Sequence, residues 1–306
     1  MTPLPGRTSH NTTALFFAFL VLVLWASVAT AFKIALEYLR PFELLFLSSL
    51  VSFLALSVIM LVSGRFRKLK ELTRNDYIRL TLAGILNPVI YYLILFKAYD
   101  LLPAQYAQAV NFTWPLVLAL AAMIAGHEKF HFLRLLALCV SFAGALVVVL
   151  GGKQLAGGIS IPGVLLAFFS TFIWVAYWMI AKTIKADPVI SLWVPFTTGA
   201  AVLSLMACFL FRPAALSPAA WAGAGYVGLF EMSITFLFWL TALRKATSTA
   251  LVSNFIYAVP FLSLIFIRFV LNEPIRPATL IGLIMIAGGI VGQMWVHKSK
   301  RLSFKD

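Results

Sequence analysis

Glu231 is the side chain with the greatest chemical leverage in this sequence, because it stands near the middle of the apolar block 219–243, between Trp221 and Arg244. A carboxylate inside a hydrocarbon layer is costly unless it is paired or faces water, so an acid there marks a solute or ion pathway by default. Two chemistries fit. The carboxylate can serve as counter-ion to an ammonium group, or it can carry a proton. One residue does both when proton and cation compete for it. The plain alternative is a structural carboxyl, held between helices by hydrogen bonds or kept protonated.

The residues expected around Glu231 are polar or aromatic. Asn87, beside Pro88, sits in an earlier apolar block, and Tyr91, four residues on, shares its helical face. Thr235 and Trp239 follow Glu231 at the same spacing. Trp174, Tyr177 and Trp178 fall at i, i+3 and i+4, while Trp25 occupies a comparable place in the first block. Aromatic faces beside a buried carboxylate make a box for an ammonium group, although aromatics in membrane helices also simply pack or anchor at interfaces. Trp114, Gln108, Asn111 and Tyr257 are further candidates for ligand contact. Pro115 and Pro260 are expected to break the hydrogen-bond ladder in mid-helix, as hinges or as fixed kinks that shape a cavity.

Other ionisable residues have plainer expectations. Glu128 and Glu273 stand at block ends, where a carboxylate accepts from orphan N–H groups and complements a helix dipole. Arg268 is placed to pair with Glu273, or to meet a substrate carboxylate. Lys33 and Lys182, near helix ends, are expected to snorkel to the interface.

His127-Glu128-Lys129-Phe130-His131 matches H-E-x-x-H, which sets two imidazoles on one helical face for zinc. An intramembrane zinc metalloprotease using His127, Glu128 and His131 is therefore an alternative reading. It is disfavoured because no third ligand is evident and because the sequence around Glu273 repeats the Glu without the histidines. No G-x-x-x-x-G-K-[ST] loop supports ATP hydrolysis, and Cys139 and Cys208 both fall in apolar blocks and suggest no disulfide framework. We expect no enzyme, no bound metal and no cofactor.

The elements that must position these residues follow from composition. With 62% hydrophobic and 11% charged residues, the chain has too little polar surface to cover a soluble globule, and mean hydropathy is +0.98. Apolar blocks fall at about 14–36, 42–62, 78–101, 104–125, 132–150, 162–182, 189–210, 219–243, 248–270 and 278–297, near the roughly 20 residues that a ~30 Å hydrocarbon core requires. That predicts ten transmembrane helices in an all-α membrane protein, with lipid as a partner. The net charge of +14 is a topology signal and not a nucleic-acid footprint, because 17 of the 24 basic residues fall on one face if the N-terminus is cytoplasmic. Both termini are then expected to be cytoplasmic.

The sequence also repeats. Trp25 and Lys33 match Trp174 and Lys182 at a shift of 149, and Pro115, Glu128 and Gly144 match Pro260, Glu273 and Gly289 at a shift of 145. A shift of 144 pairs Asn87 with Glu231 and Ala98 with Ala242. Five helices per copy is an odd number, so the second copy must enter from the other side, giving two inverted five-helix repeats. The expected division is an N-terminal tail 1–13, repeats 14–152 and 153–297, and a basic tail 298–306.

Through the two copies of the Pro, Glu and Gly pattern, nearly the whole chain resembles the EamA-type carriers of the drug/metabolite transporter superfamily. The resemblance implies a ten-helix carrier with a central cavity lined mainly by the first, third, fourth, sixth, eighth and ninth spans. It implies small-metabolite transport, often outward, and leaves the substrate open. Combined with Glu231, it gives the expectation of a secondary active or facilitative exporter of amino acids or other amine-bearing compounds, working by alternating access, with H+ coupling through Glu231. A non-transporting membrane receptor or scaffold is the other alternative. The sequence leaves oligomeric state open, a monomer included.

Overall fold

The computed structural model describes residues 5–124, 132–151, 158–212, 217–246 and 254–303. The helices are α1 (Pro5–Leu36), α2 (Pro41–Val62), α3 (Arg74–Gly84), α4 (Tyr91–Leu101), α5 (Ala104–Asn111), α6 (Trp114–Ile124), α7 (Phe132–Gly151), α8 (Ile161–Ala181), α9 (Pro188–Leu210), α10 (Pro218–Tyr226), α11 (Ile234–Lys245), α12 (Val259–Val270) and α13 (Pro277–Ser303). Among the described residues there is no strand.

Local chemistry sets the helix starts. Proline opens α2, α8, α9 and α10, where the missing N–H would be unpaired anyway. The Ser160 hydroxyl accepts from Gly163 N–H, Ser217 from Ala220 N–H, and the Asp187 carboxylate from Val189 N–H. Among the described residues, six stretches are long and apolar enough to cross a membrane: Thr12–Leu36, Pro41–Val62, Arg74–Leu101, Ile161–Ala181, Pro188–Leu210 and Pro218–Lys245. Leu135–Gly151, Phe255–Val270 and Pro277–Gly292 are shorter apolar helices. Large apolar side chains point outward along them, Phe209 at 87% exposure and Val62 at 83%, as suits lipid and not water.

The stretches that matter for function are interrupted. Between α3 and α4 the chain makes a wide turn, Ile85–Ile90, in which Asn87 leaves helical geometry (φ −140°, ψ 113°). Between α10 and α11 a second wide turn, Val227–Glu231, is followed by Ser233 at φ −131°, ψ −78°. The block at 104–125 is two helices, α5 and α6, separated at Phe112 and Thr113. Pro115 lies in the first turn of α6, and Pro260 in the first turn of α12 after a tight turn at Asn254–Ala258. Neither proline kinks a continuous helix. Each restarts one, because its ring and missing N–H are tolerated only in a first turn.

Helices approach closely through reciprocal contacts. A Cβ on Gly84 would meet Pro195 O, and one on Gly228 would meet Ser48 O. A Cβ on Gly144 would meet Gly282 O, and one on Gly289 would meet Ala137 O. Pro88 packs on Gly199, while the carbonyl of Met232 accepts from Ser52 Oγ at 3.1 Å. Thus α9 lies on α3 and its turn much as α2 lies on α10 and its turn, and α7 packs along α13.

Candidate functional site

The wide turn Val227–Glu231 ends on Glu231, which is 8% exposed. Its Oε1 accepts from the Tyr92 hydroxyl at 2.8 Å. The Trp25 indole is a further polar neighbour of the carboxylate, and Oε2 is buried without a hydrogen-bond partner among the described residues. No cation pairs with this carboxylate among the described residues. It therefore has unused capacity to bind a donor.

The donor's space is a cavity of about 330 Å³ whose wall includes Glu231, a small-molecule size. Aromatic rings form much of the wall. Trp174 lies 4.7 Å from Tyr91 and 5.8 Å from Trp178 between ring centroids, and Trp25 lies 5.8 Å from Trp239. Phe236 bridges the two groups, 5.7 Å from Trp25 and 6.0 Å from Trp174. Asn111 and Trp114, flanking the α5–α6 break, complete one side. Asn111 Nδ2 donates to Ser170 Oγ at 2.8 Å, and its Oδ1 accepts from the Tyr91 hydroxyl at 3.4 Å.

Nine residues expected at a binding site thus share one wall: Glu231, Tyr91, Trp25, Trp174, Trp178, Gln108, Asn111, Trp114 and Trp239. Asn87, Tyr177, Thr235 and Tyr257 stand outside it. The Thr235 hydroxyl is taken up by Phe230 O, bridging the helix break. Asn87 is 1% exposed and both its amide atoms lack hydrogen-bond partners among the described residues, with the Tyr177 hydroxyl as a polar neighbour.

Several residues behave differently from their sequence reading. The Lys33 ammonium donates to Tyr99 O at 2.9 Å and Leu102 O at 3.1 Å, at the C-terminal end of α4. Lys182 is exposed and lines the cavity. Arg268 makes no ion pair with Glu273, whose Oε1 accepts from Ala104 N–H at the start of α5. Glu273 is a cap, but of a helix distant in sequence. Tyr92 was overlooked because regular helical spacing from Asn87 points to Tyr91, whereas the wide turn rotates the following residue toward Glu231. His127, Glu128, His131 and the repeat boundary at 152/153 lie outside the described residues; among those described, no group of three or more His, Cys, Asp or Glu gathers as for a metal.

The sequence profile of the EamA-like transporter family matches residues 12–150 and again 161–295. An uncharacterized transporter of Bacillus subtilis is 25% identical over 91% of this chain and 90% of its own length. An uncharacterized transporter of Archaeoglobus fulgidus is 26% identical over 89% and 93%. A solved crystal structure superposes with a TM-score of 0.67 over 95% of this chain and 99% of its own, at 20% identity, a likeness of fold alone.

Proposed function

The chain belongs to the EamA-like transporter family, multi-pass integral membrane transporters of small solutes, and on that premise we propose that it exports amine-bearing metabolites, amino acids among them, through the Glu231 cavity. The observation that carries this reading is the half-satisfied carboxylate: one oxygen bound by Tyr92, the other unpartnered, in an aromatic enclosure. An ammonium group supplies the missing donors and the opposite charge, and the faces of Trp25, Trp174 and Trp178 add cation–π attraction. A proton satisfies the same oxygen, so proton and solute exclude one another on one carboxylate. That competition is the coupling.

Alternating access rests on the repeat. The second copy begins matching the family profile at residue 161, as the first does at 12. The contacts of Gly84 with Pro195 and of Gly228 with Ser48 are the same contact with the halves exchanged, as are those of Gly144 with Gly282 and Gly289 with Ala137. Reciprocity of that kind is what a two-fold axis produces at an interface. We accordingly read the chain as ten spans in two inverted halves, 14–152 and 153–297, flanked by tails 1–13 and 298–306, with both termini cytoplasmic and the halves exchanging conformations.

Purified protein in liposomes tests the reading. Glu231→Gln keeps an acceptor for Tyr92 but removes the charge, so exchange of radiolabelled amino acids should fall at least about tenfold and lose its response to a pH gradient. Unchanged flux and pH response in Glu231→Gln would remove the residue from the mechanism.

A further inference from the structure

Lys33 in α1 and Lys182 at the C-terminal cap of α8 hold matched positions in the repeat but do different things. Lys33 Nζ is tied to the carbonyls of Tyr99 and Leu102. Leu102 terminates α4, and the last carbonyls of a helix have no intrahelical donors, so an ammonium satisfies them and complements the dipole. The shift of 144 that relates Asn87 to Glu231 carries Tyr99 and Leu102 onto Leu243 and Ala246. Ala246 terminates α11 just as Leu102 terminates α4. Lys182, however, is exposed, and its ammonium has no hydrogen bond or ion pair among the described residues.

The two lysines lie at opposite ends of the molecule. Gly163, at the start of α8, packs on Leu101 and Leu102, and Lys182 is 19 residues further along, about 28 Å at 1.5 Å per residue. Trp178, one turn before Lys182, shares an apolar cluster with Leu243 and Ala246, so the C-terminal end of α11 is at the Lys182 end. The cavity is asymmetric in the same sense. At the Lys33 end Phe32, Leu95 and Tyr99 in its wall are buried, and Phe32 stacks edge-on against Phe96 and Tyr99 at 4.8 and 5.2 Å. At the Lys182 end the wall residues Trp178, Met179 and Ile256 are half-buried and Lys182 itself is exposed. α1 packs against α4, while α8 and α11 make no comparable approach.

We propose that Lys33 and Lys182 are alternating latches of the transport cycle: Lys33 closes one end of the cavity by binding the C-terminal carbonyls of α4, and in the opposite state Lys182 closes the other end by binding Leu243 O and Ala246 O while Lys33 lets go. Each latch is a charge-assisted bond available in one state only, so it biases the equilibrium between the two. The inference rests on the alternating-access reading above.

The test uses a full-length chain with Cys139→Ser, Cys208→Ser and Val28→Cys, a single thiol in the cavity wall, labelled in membranes by an impermeant maleimide applied to either face in turn. Lys33→Met removes the latch that is closed here, so labelling from the Lys182 face should fall and labelling from the opposite face rise, shifting their ratio roughly tenfold. Lys182→Met should shift the ratio the other way and slow exchange. A merely structural lysine moves both variants in one direction, or neither, and that result overturns the proposal. Lys182→Met breaks no bond of this state and is expected to fold, so an unchanged ratio and exchange rate in that variant also overturns it, even if Lys33→Met fails to fold. If the parent chain is labelled from only one face under every condition, it is alternating access that fails; if it is labelled from both and the lysine variants do not bias it, the latch alone fails.

Discussion

Tyr92, in the first turn of α4 after the wide turn Ile85–Ile90, donates at 2.8 Å to Glu231, the last residue of the wide turn Val227–Glu231. Tyr92 is fully buried, and no other hydrogen bond to the carboxylate forms among the described residues. The bond therefore joins two interrupted helices as well as orienting a site.

Tyr92→Phe should destabilise the protein more than Glu231→Gln does. The tyrosine variant leaves both carboxyl oxygens without a partner in a buried site, a cost of about 1–3 kcal/mol. The glutamine keeps the Tyr92 bond and removes a charge, so its thermal unfolding in detergent should match or exceed that of the parent. Measured melting temperatures in the reverse order would mean that the bond contributes no net stability.

The close helix approaches make a second prediction. Ala in place of Gly289 would put a methyl against Ser141 Oγ and Ala137 O, and Ala at Gly144 would meet Gly282 O and Met285. Backbone atoms cannot give way as a flexible side chain can, so each variant should lose about 1–3 kcal/mol by overpacking. Gly225 and Gly288 are helical glycines with open space where a Cβ would go. Gly225→Ala and Gly288→Ala should be neutral, or gain up to about 1 kcal/mol from the helix preference of alanine. Unfolding curves of the four variants should separate into these two pairs.

How far the sequence revealed this arrangement depends on which force set each feature. The apolar blocks were legible because a hydrocarbon solvent imposes length and composition on any span; Pro41–Val62 and Pro188–Leu210 lie within a residue of their expected bounds. The interruptions were legible only in part. Pro115 and Pro260 signalled backbone breaks, though they open helices after the break instead of bending them. Nothing comparable stands at 227–233, where the irregular turn is held by contacts from elsewhere: Ser233 Oγ donates to Ser52 Oγ, and Ser52 Oγ to Met232 O. Tyr92 and the Lys33 bonds were illegible for the same reason. Each is a tertiary contact reached through a turn whose extra residue shifts the facing of the helix that follows.

Asp187 links stability to pH outside the spans. Burial works to raise its pKa, but Val189 N–H, Arg65 and Lys68 together outweigh it and hold the carboxyl below the usual carboxylate range. Arg65 Nε lies 3.3 Å and Lys68 Nζ 3.4 Å from Oδ2. In the unfolded chain the group protonates near pH 4, and in the folded chain lower, so the unfolded state takes up the proton first. Its stabilising contribution is complete above about pH 5 and is lost as pH falls toward the folded value. Asp187→Asn should flatten that part of the acid-unfolding profile while keeping an N-cap; Asp187→Ala should also lose about 1 kcal/mol of capping at neutral pH.

The last prediction concerns the end of the cavity that Lys33 closes. Two residues after Leu102 the chain starts α5, whose first N–H, from Ala104, donates to Glu273 Oε1 at 2.9 Å. The next residue, Gln105, donates to Pro274 O at 3.0 Å and accepts from Thr279 Oγ1 at 2.8 Å and from Arg276 N–H at 3.3 Å. The α5 start is thereby fixed to the start of α13, and it gives Lys33 a rigid pair of carbonyls to bind. Glu273→Ala removes the cap and should cost about 1 kcal/mol, and Gln105→Ala leaves Arg276 N–H and the Thr279 hydroxyl without their acceptor and should cost about 1–3 kcal/mol. Because the two residues support one joint, their losses should not add; a double variant falling short of the sum by about 0.5 kcal/mol or more is expected from a thermodynamic cycle. Additive losses would mean that the carboxylate and the amide hold α5 independently.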